Sequence, residues 1–590
     1  MTVDSGKICI AEKRVLWYAL FKGVMEMDLK KKPFYLSDSD IAWVEDTLSQ
    51  MTMEEKAGQL FCVNFRNGED EEIDYVYNVM SPGACMYRTI PMEKAIQFTE
   101  KVRTRAKVPL LVAANLEKGG NGIVQEGTLL GSPMQVAATR DVQMSVKLAT
   151  VCAEEAKAVG ANWAFAPIID IDSNFRNPIT NTRTFGSDPD VVMQMGEAYV
   201  RTVQERGVAA SIKHFPGDGQ DERDQHLVTS INDLSCEQWD ATYGKVYKAC
   251  IDAGALTCMI GHILQPAYTR YFNPSIRDED ILPGSLSKEL MTDLLRGKLG
   301  FEGLIITDAT TMAGFTLPMS RRDAVPYSIA SGADMFLFAR NLQEDYHFML
   351  EGIRSGVITQ RRLDEAVTRI LATKAALGLH KGNSELSVEN AGQIIGCKTH
   401  LDWARECANL SITLVKEEKG VLPVTPQKYP RILLYMIEEA GGFSQYHTVS
   451  VKEKILSRLR GEGFSVDCFT PPQGSEGRTP PTSAVTDQYD LILYVANLAT
   501  KSNQTVVRIE WAQPMGANCM HYKNDVPTVF ISLENPYHLL DVPRVRTYIN
   551  TYNSNDLVLD ELVSKLMGRS EFKGTSPIDP FCGKWDAHLS

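Results

Sequence analysis

Residues 209–214 read Ala-Ala-Ser-Ile-Lys213-His214, and the loop that follows reads Phe-Pro-Gly-Asp218-Gly-Gln-Asp-Glu-Arg-Asp224-Gln-His226. Four small or apolar residues that run into two cations suit a strand buried on both faces, with only its last residues emerging. The pattern recurs at Leu60–Asn64, Gly83–Tyr87, Pro109–Asn115, Trp163–Pro167, Thr257–His262, Leu304–Asp308 and Ala333–Phe338. Helical stretches separate many of these runs, among them Met92–Arg105, Val142–Ala158, Pro189–Arg206, Cys236–Ala253 and Ser287–Lys298. Such alternation predicts an α/β chain built on a parallel (β/α)8 TIM barrel; an open doubly wound sheet of eight strands is the alternative. Polar residues gather where the strands stop: Asn115 with Glu117, Asp170, Lys213 with His214, His262, and Asp308. In a barrel these ends share one rim, where catalytic groups sit.

Working outward, composition shifts after the helical stretch Arg361–Leu377. A polar segment follows, and then new strand candidates appear at Arg431–Tyr435, Phe464–Cys468, Asp490–Val495 and Thr528–Ser532, with helical stretches at Ser450–Arg460 and Asp556–Met567. These predict a smaller α/β three-layer sandwich without a Gly-rich nucleotide fingerprint. The expected division is a leader over 1–35, a catalytic barrel over 36–380, a linker over 381–405 and the sandwich domain over 406–590. Within the last, Pro471–Pro481 reads as a Pro/Gly/Ser loop.

Sixty-one Lys and Arg against 74 Asp and Glu give a net charge of −13, which repels a phosphate backbone, and the densest cationic run is only Lys30–Lys32. Nucleic acid is therefore not an expected partner. No run approaches the 18 apolar residues that a membrane span needs, and Val15–Met25 is cut by Lys22 with no small-residue cleavage site behind it. The twelve cysteines stand apart, the nearest pair being Cys250 and Cys258, and no HExxH occurs. No metal and no cofactor is expected, and reduced thiols suit a cytoplasmic protein, monomer or homodimer.

Two elements carry chemistry. In Asp224-Gln-His226, residues two apart in an extended segment point the same way, and a turn can bring them closer still, so a carboxylate can fix the imidazole tautomer and stabilise its cation, as a general acid requires. Alone, such a pair is as ordinary as any loop Asp and His. The second is Gly303-Leu-Ile-Ile-Thr-Asp308-Ala-Thr-Thr-Met312, whose aspartate could equally be a helix N-cap.

The whole string from Lys213 to His226 resembles the K-H-F-P-G-H-G signature with its following D-x-H of family 3 glycoside hydrolases, in their β-N-acetylglucosaminidase branch. The stretch 303–312 resembles the family's G-x-x-x-[ST]-D-x-x-x-M, and Asn177-Pro178 with Arg183-Thr-Phe185-Gly186-Ser-Asp188-Pro189 its N-P…R-S-F-G-x-D-P. The resemblance implies Asp308 as nucleophile, His226 as acid/base with Asp224 as its partner, and sugar binding by Arg183, Lys213 and His214. Asn115, Glu117 and Met312 join the substrate-binding set by the same route. Departures fall on sugar recognition: Asn115 stands where the family has Asp, and Asp218 and Gln220 where it has His and Asp. Replacing a charged acceptor by an amide alters hydroxyl recognition by about 1–3 kcal/mol.

The implied activity is a retaining, exo-acting β-N-acetylglucosaminidase that passes through a covalent glycosyl-aspartate. The expected partner is a small carbohydrate, a β-GlcNAc glycoside or, in the alternative, a β-glucoside. A β-glucosidase or dual-specificity enzyme is the runner-up. A neutral imidazole also does not repel an anionic acceptor as a carboxylate does, so phosphorolysis is a further alternative. A non-catalytic carbohydrate-binding protein is the reading from another class. Glu510 and Glu534 in the second domain read as ordinary surface carboxylates, with a reach to the rim as the alternative.

Overall fold

The computed structural model describes residues 27–589 except 67, 383–384, 439–449, 471–479, 501, 506 and 513–515. The apolar run Val15–Met25 and most of the loop 471–481 therefore lie outside the described residues.

Eight short strands form one parallel sheet: β1 Phe61–Phe65, β2 Ala84–Tyr87, β3 Leu111–Ala114, β4 Trp163–Ala164, β5 Ala209–Phe215, β6 Thr257–Ile260, β7 Leu304–Thr307 and β8 Phe336–Leu337. β1 pairs with β8 in the register Phe61 to Phe336, and a parallel bridge from Ile306 to Met335 joins the other edge, so the sheet closes into a barrel. The doubly wound alternative is excluded. All seven residues of β5 are buried, as expected of a strand lined by helices outside and side chains inside. The interior stays hydrogen-bonded: the Trp163 indole donates to Thr257 Oγ1 at 2.8 Å, and that hydroxyl donates to the Ala210 carbonyl at 2.8 Å.

β4 is shorter than its sequence suggests. Beyond Ala164 the chain keeps beside β5 by irregular bonds, Ser211 N–H to the Ala166 carbonyl at 2.9 Å and Lys213 N–H to the Pro167 carbonyl at 3.3 Å, because Pro167 has no N–H for a regular ladder. The helical stretch 236–253 also forms, but with a π-helical turn at Asp240–Gly244 between Cys236–Trp239 and Lys245–Asp252.

The two barrel ends differ in chemistry. At the N-terminal end, Asp334 before β8 is fully buried and meets Arg296 at 2.6 Å, with Arg362 and Arg369 nearby. Burial pushes the Asp334 carboxyl up, but the three guanidiniums outweigh it and hold it below its ordinary value. This cluster staples strands and helices together and has no part in the opposite rim.

Part of the expected leader is structural. Leu29 and Phe34 pack into the barrel core. Residues 381–405 include helix Val388–Ile394 and the start of helix Lys398–Ser411.

The second sheet has six strands in the order β9-β14-β13-β12-β10-β11, being Thr413–Lys416, Thr547–Asn550, Thr528–Ser532, Leu491–Asn497, Arg431–Glu438 and Ser465–Cys468; only β9 runs antiparallel. Strict alternation along β10 sends Ile432 and Leu434 into one core and Leu433 and Tyr435 into another, which makes three layers. On the second face Tyr435, Tyr494, Phe530 and Tyr548 stack across successive strands at centroid distances of 4.4, 6.1 and 5.4 Å.

This domain is docked on the barrel rim. Met134 and Ala138 pack with Tyr537, Tyr552, Ile578 and Cys582. The Tyr537 hydroxyl donates to Asp172 Oδ2 at 2.5 Å, the Asn181 amide to Asn535 Oδ1 at 3.1 Å and the Ser132 hydroxyl to the Tyr552 carbonyl at 3.0 Å. Among the described residues, no helix is long and apolar enough to cross a membrane.

Candidate active site

The C-terminal ends of the barrel strands open into a cavity of about 480 Å³. Met86, Asn115, Glu117, Arg183, Lys213, His214, His226 and Asp308 line it, together with Lys118 and Asn121 from the loop after β3 and Thr500 and Ser502 from the second domain. Of the expected site residues, Asp224 lies buried just behind the wall. Met312 does not reach the cavity: it is buried, and its N–H closes a turn onto the Ala309 carbonyl at 3.0 Å.

The loop after β5 makes its turns on two glycines. Gly217 and Gly219 have φ of +116° and +106°. A Cβ at 217 would stand 2.1 Å from the Tyr243 ring and one at 219 would stand 2.0 Å from the Ile171 carbonyl, so neither position accepts a side chain. A further turn, with the Leu227 and Val228 N–H groups on the Asp224 carbonyl at 2.9 and 3.0 Å, brings Asp224 and His226 together. Asp224 Oδ1 accepts from the His226 N–H at 2.8 Å and faces His226 Nδ1 at 2.7 Å, which leaves Nε2 for the cavity. The Asp224 side chain has no exposure and the His226 ring has 26%.

Glu117 accepts from Arg183 Nε at 3.1 Å and Nη2 at 2.9 Å, and from Lys213 Nζ at 2.8 Å. Burial pushes its carboxyl up, yet the two cations hold it well below the ordinary range. This fork fixes both cations at the cavity wall, where hydroxyls can accept from their remaining N–H groups. His214 is held by Asp170 through ring Nδ1 at 2.7 Å and peptide N–H at 3.0 Å.

Asp308 follows β7 with its N–H on the Ile260 carbonyl at 2.8 Å, and its Oδ1 accepts from the Ala309 N–H at 2.7 Å. Burial pushes the carboxyl up, but His214, His262 and His226, with that N–H, bring it below its ordinary value. It therefore stays ionised at neutral pH. His262 is buried, with Nδ1 2.7 Å from Ser285 Oγ and Nε2 3.1 Å from the Ala309 carbonyl; burial lowers its pKa.

Several supports carried no plain sequence signal. Asp218 accepts from Asn177 Nδ2 at 2.9 Å, the Gly219 N–H at 2.7 Å and Gln225 Nε2 at 3.3 Å, and burial, with Asp170 beside it, pushes it up to about 6. Beneath the loop that carries Lys118 and Asn121, the fully buried Glu155 accepts from Thr128 N–H at 2.8 Å, Thr128 Oγ1 at 2.6 Å and the Gly396 N–H at 3.1 Å, and faces His400 Nδ1 at 2.8 Å. Burial lowers the His400 pKa, but Glu155 and Glu154 raise it further. Glu534 is not the surface carboxylate expected: it is part-buried, bonded by Ser554 Oγ at 2.6 Å, and raised by burial against the pull of Lys118. Glu510 is exposed.

The profile described as "Glycosyl hydrolase family 3 N terminal domain" matches residues 52–373, the stretch that holds every barrel strand. The chain belongs to glycosyl hydrolase family 3. Among family 3 relatives, the β-N-acetylglucosaminidase/β-glucosidase of Cellulomonas fimi is 52% identical over 564 residues, 95% of this chain and 100% of that protein. A solved structure titled β-glucoside phosphorylase BglX superposes with a TM-score of 0.90 at 46% identity, covering 96% of this chain and 100% of that one. A family 3 β-N-acetylglucosaminidase from Paenibacillus sp. str. FPU-7 shares the fold at a TM-score of 0.77 and 24% identity, over 90% of this chain and 100% of that one. The chain is therefore a family 3 glycosidase with a small carbohydrate as substrate, and these relatives divide between glucosides and N-acetylglucosaminides.

Proposed function

We propose that the protein is a retaining, exo-acting β-glycosidase that removes terminal β-linked N-acetylglucosaminyl and glucosyl residues. The observation that carries this reading is an ionised carboxylate, Asp308, on the same cavity as an imidazole, His226, backed by a buried carboxylate. Asp308 attacks the anomeric carbon while His226, as the cation paired with Asp224, protonates the departing oxygen. A glycosyl-aspartate forms. The neutral imidazole then takes a proton from the incoming acceptor, and the sugar leaves Asp308 with the configuration it began with. Arg183, Lys213 and His214 hold sugar hydroxyls. Both sugars are proposed because the 52% identical relative is named for both activities, and because Asn115 replaces the charged acceptor expected at that rim position. Turnover of aryl β-N-acetylglucosaminide and aryl β-glucoside by one preparation tests it; a rate on only one of them reduces the reading to a single specificity.

A second reading is favoured by charge. The acid/base is an imidazole that is neutral when the acceptor arrives, and Lys118 lines the same cavity. An anionic acceptor therefore meets no opposing carboxylate at that position, and phosphate can take the place of water. The 46% identical solved structure bears the name of a phosphorylase. Release of sugar 1-phosphate from an aryl glycoside in phosphate buffer supports this reading, and free sugar alone at saturating phosphate rejects it. The eleven unpaired cysteines among the described residues, seven of them buried, support a reducing compartment.

A further inference from the structure

Asp224 is enclosed, and its two oxygens are served from different domains. Oδ1 takes both the ring and the peptide N–H of His226, at 2.7 and 2.8 Å. Oδ2 accepts from the peptide N–H of Asn503 at 2.7 Å, a residue 279 positions further along the chain. Asn503 belongs to the connection between β12 and β13 of the sandwich domain, and its neighbours Thr500 and Ser502 face the same cavity. Its φ of +66° is a left-handed turn, which Asn tolerates better than most residues. The domain that carries this turn is fixed to the rim independently, through Tyr537 on Asp172 and Asn535 on Asn181.

We propose that the second domain completes the acid/base: the Asn503 peptide N–H is a positioning group that holds the Asp224 carboxylate aimed at His226. The inference rests on the reading of His226 as acid/base. A fully buried carboxylate oxygen without a donor is costly to keep charged. Without the amide, the Asp224 carboxylate turns toward another donor. His226 then loses the partner that fixes its ring, and protonation of the leaving group suffers while attack by Asp308 does not. The barrel therefore carries the nucleophile and the sugar clamp by itself, but its acid/base is finished by the Asn503 N–H of the second domain.

The test uses the full chain and two β-glycosides of whichever sugar the parent turns over best. A 2,4-dinitrophenyl glycoside departs without protonation, whereas a phenyl glycoside needs the acid. Asn503→Pro removes the N–H, and proline cannot adopt the positive φ. It should lose about 10- to 100-fold in kcat/KM on the phenyl glycoside and stay within about threefold on the dinitrophenyl one, a fraction of a full general-acid effect. Asn503→Gly, which keeps both the N–H and the turn, should restore the phenyl rate to within about threefold of the parent. The ratio between substrates is independent of the folded fraction, so misfolding cannot imitate the result. An equal loss on both substrates, or none, overturns the proposal. His226→Gln, run beside them, should show the split in full; if it shows none, the acid/base reading itself falls, and this inference with it.

Discussion

The His226 imidazole and the Asp224 carboxylate, two residues apart in the chain, meet at 2.7 Å with the carboxylate wholly buried and the ring a quarter exposed. The buried carboxylate on Nδ1 fixes which ring nitrogen faces the cavity. Asp224→Asn keeps the shape and removes the charge. It should lower kcat/KM for phenyl glycosides by about 10²- to 10³-fold, and far less for dinitrophenyl glycosides; steady-state kinetics on the pair checks it.

Glu117 neutralises Arg183 and Lys213 where all three are largely buried. Glu117→Gln leaves two cations without their partner and should cost about 3 kcal/mol of stability at pH 7, besides raising KM. Because the folded carboxyl lies well below its ordinary value, its stabilisation is complete above about pH 4.3 and declines as pH falls toward the lowered value. Thermal unfolding of parent and variant at pH 7 and pH 3.5 should show a smaller gap at the lower pH.

Asp218 has the opposite sign. Its carboxyl is pushed up to about 6, so the stability it contributes is present below about pH 3.9 and lost as pH rises through 6. Asp218→Asn should therefore gain stability relative to the parent as pH rises from 4 to 7.5. Melting curves across that interval check the direction; a variant that loses stability relative to the parent as pH rises contradicts it.

A Cβ on Gly120 would stand 1.9 Å from Glu155 Oε2 and 2.7 Å from its Cβ. Gly120→Ala should lift the loop that carries Lys118 and Asn121 from its buried support. At least a tenfold fall in kcat/KM is expected, with unchanged far-ultraviolet circular dichroism.

Much of the fold was legible because barrel strands buried on both faces spell continuous apolar runs, and the polar ends of β3, β5 and β7 named the rim that carries Asn115, Lys213 and Asp308. The tight loop after β5 was readable in its two glycines, Gly217 and Gly219. β4 was overextended because an apolar Phe165-Ala166-Pro167 looks like strand until the missing proline N–H breaks the ladder. Met312 fits a motif, yet it is buried and does not line the cavity. The Asn503 bond to Asp224, the Glu155–His400 support and Glu534 escaped because each depends on contact between segments far apart in sequence, where local pattern carries no information.

The central claim is that Asp308 bonds to the sugar. Incubation with a 2-fluoro-β-glycoside bearing a good leaving group, followed by intact and peptide mass spectrometry, measures it directly. The account predicts a gain of one fluoroglycosyl unit, carried on the peptide that contains Asp308 and absent from Asp308→Asn. An unchanged mass in protein that turns over the parent glycoside, or a label on another residue, would contradict it.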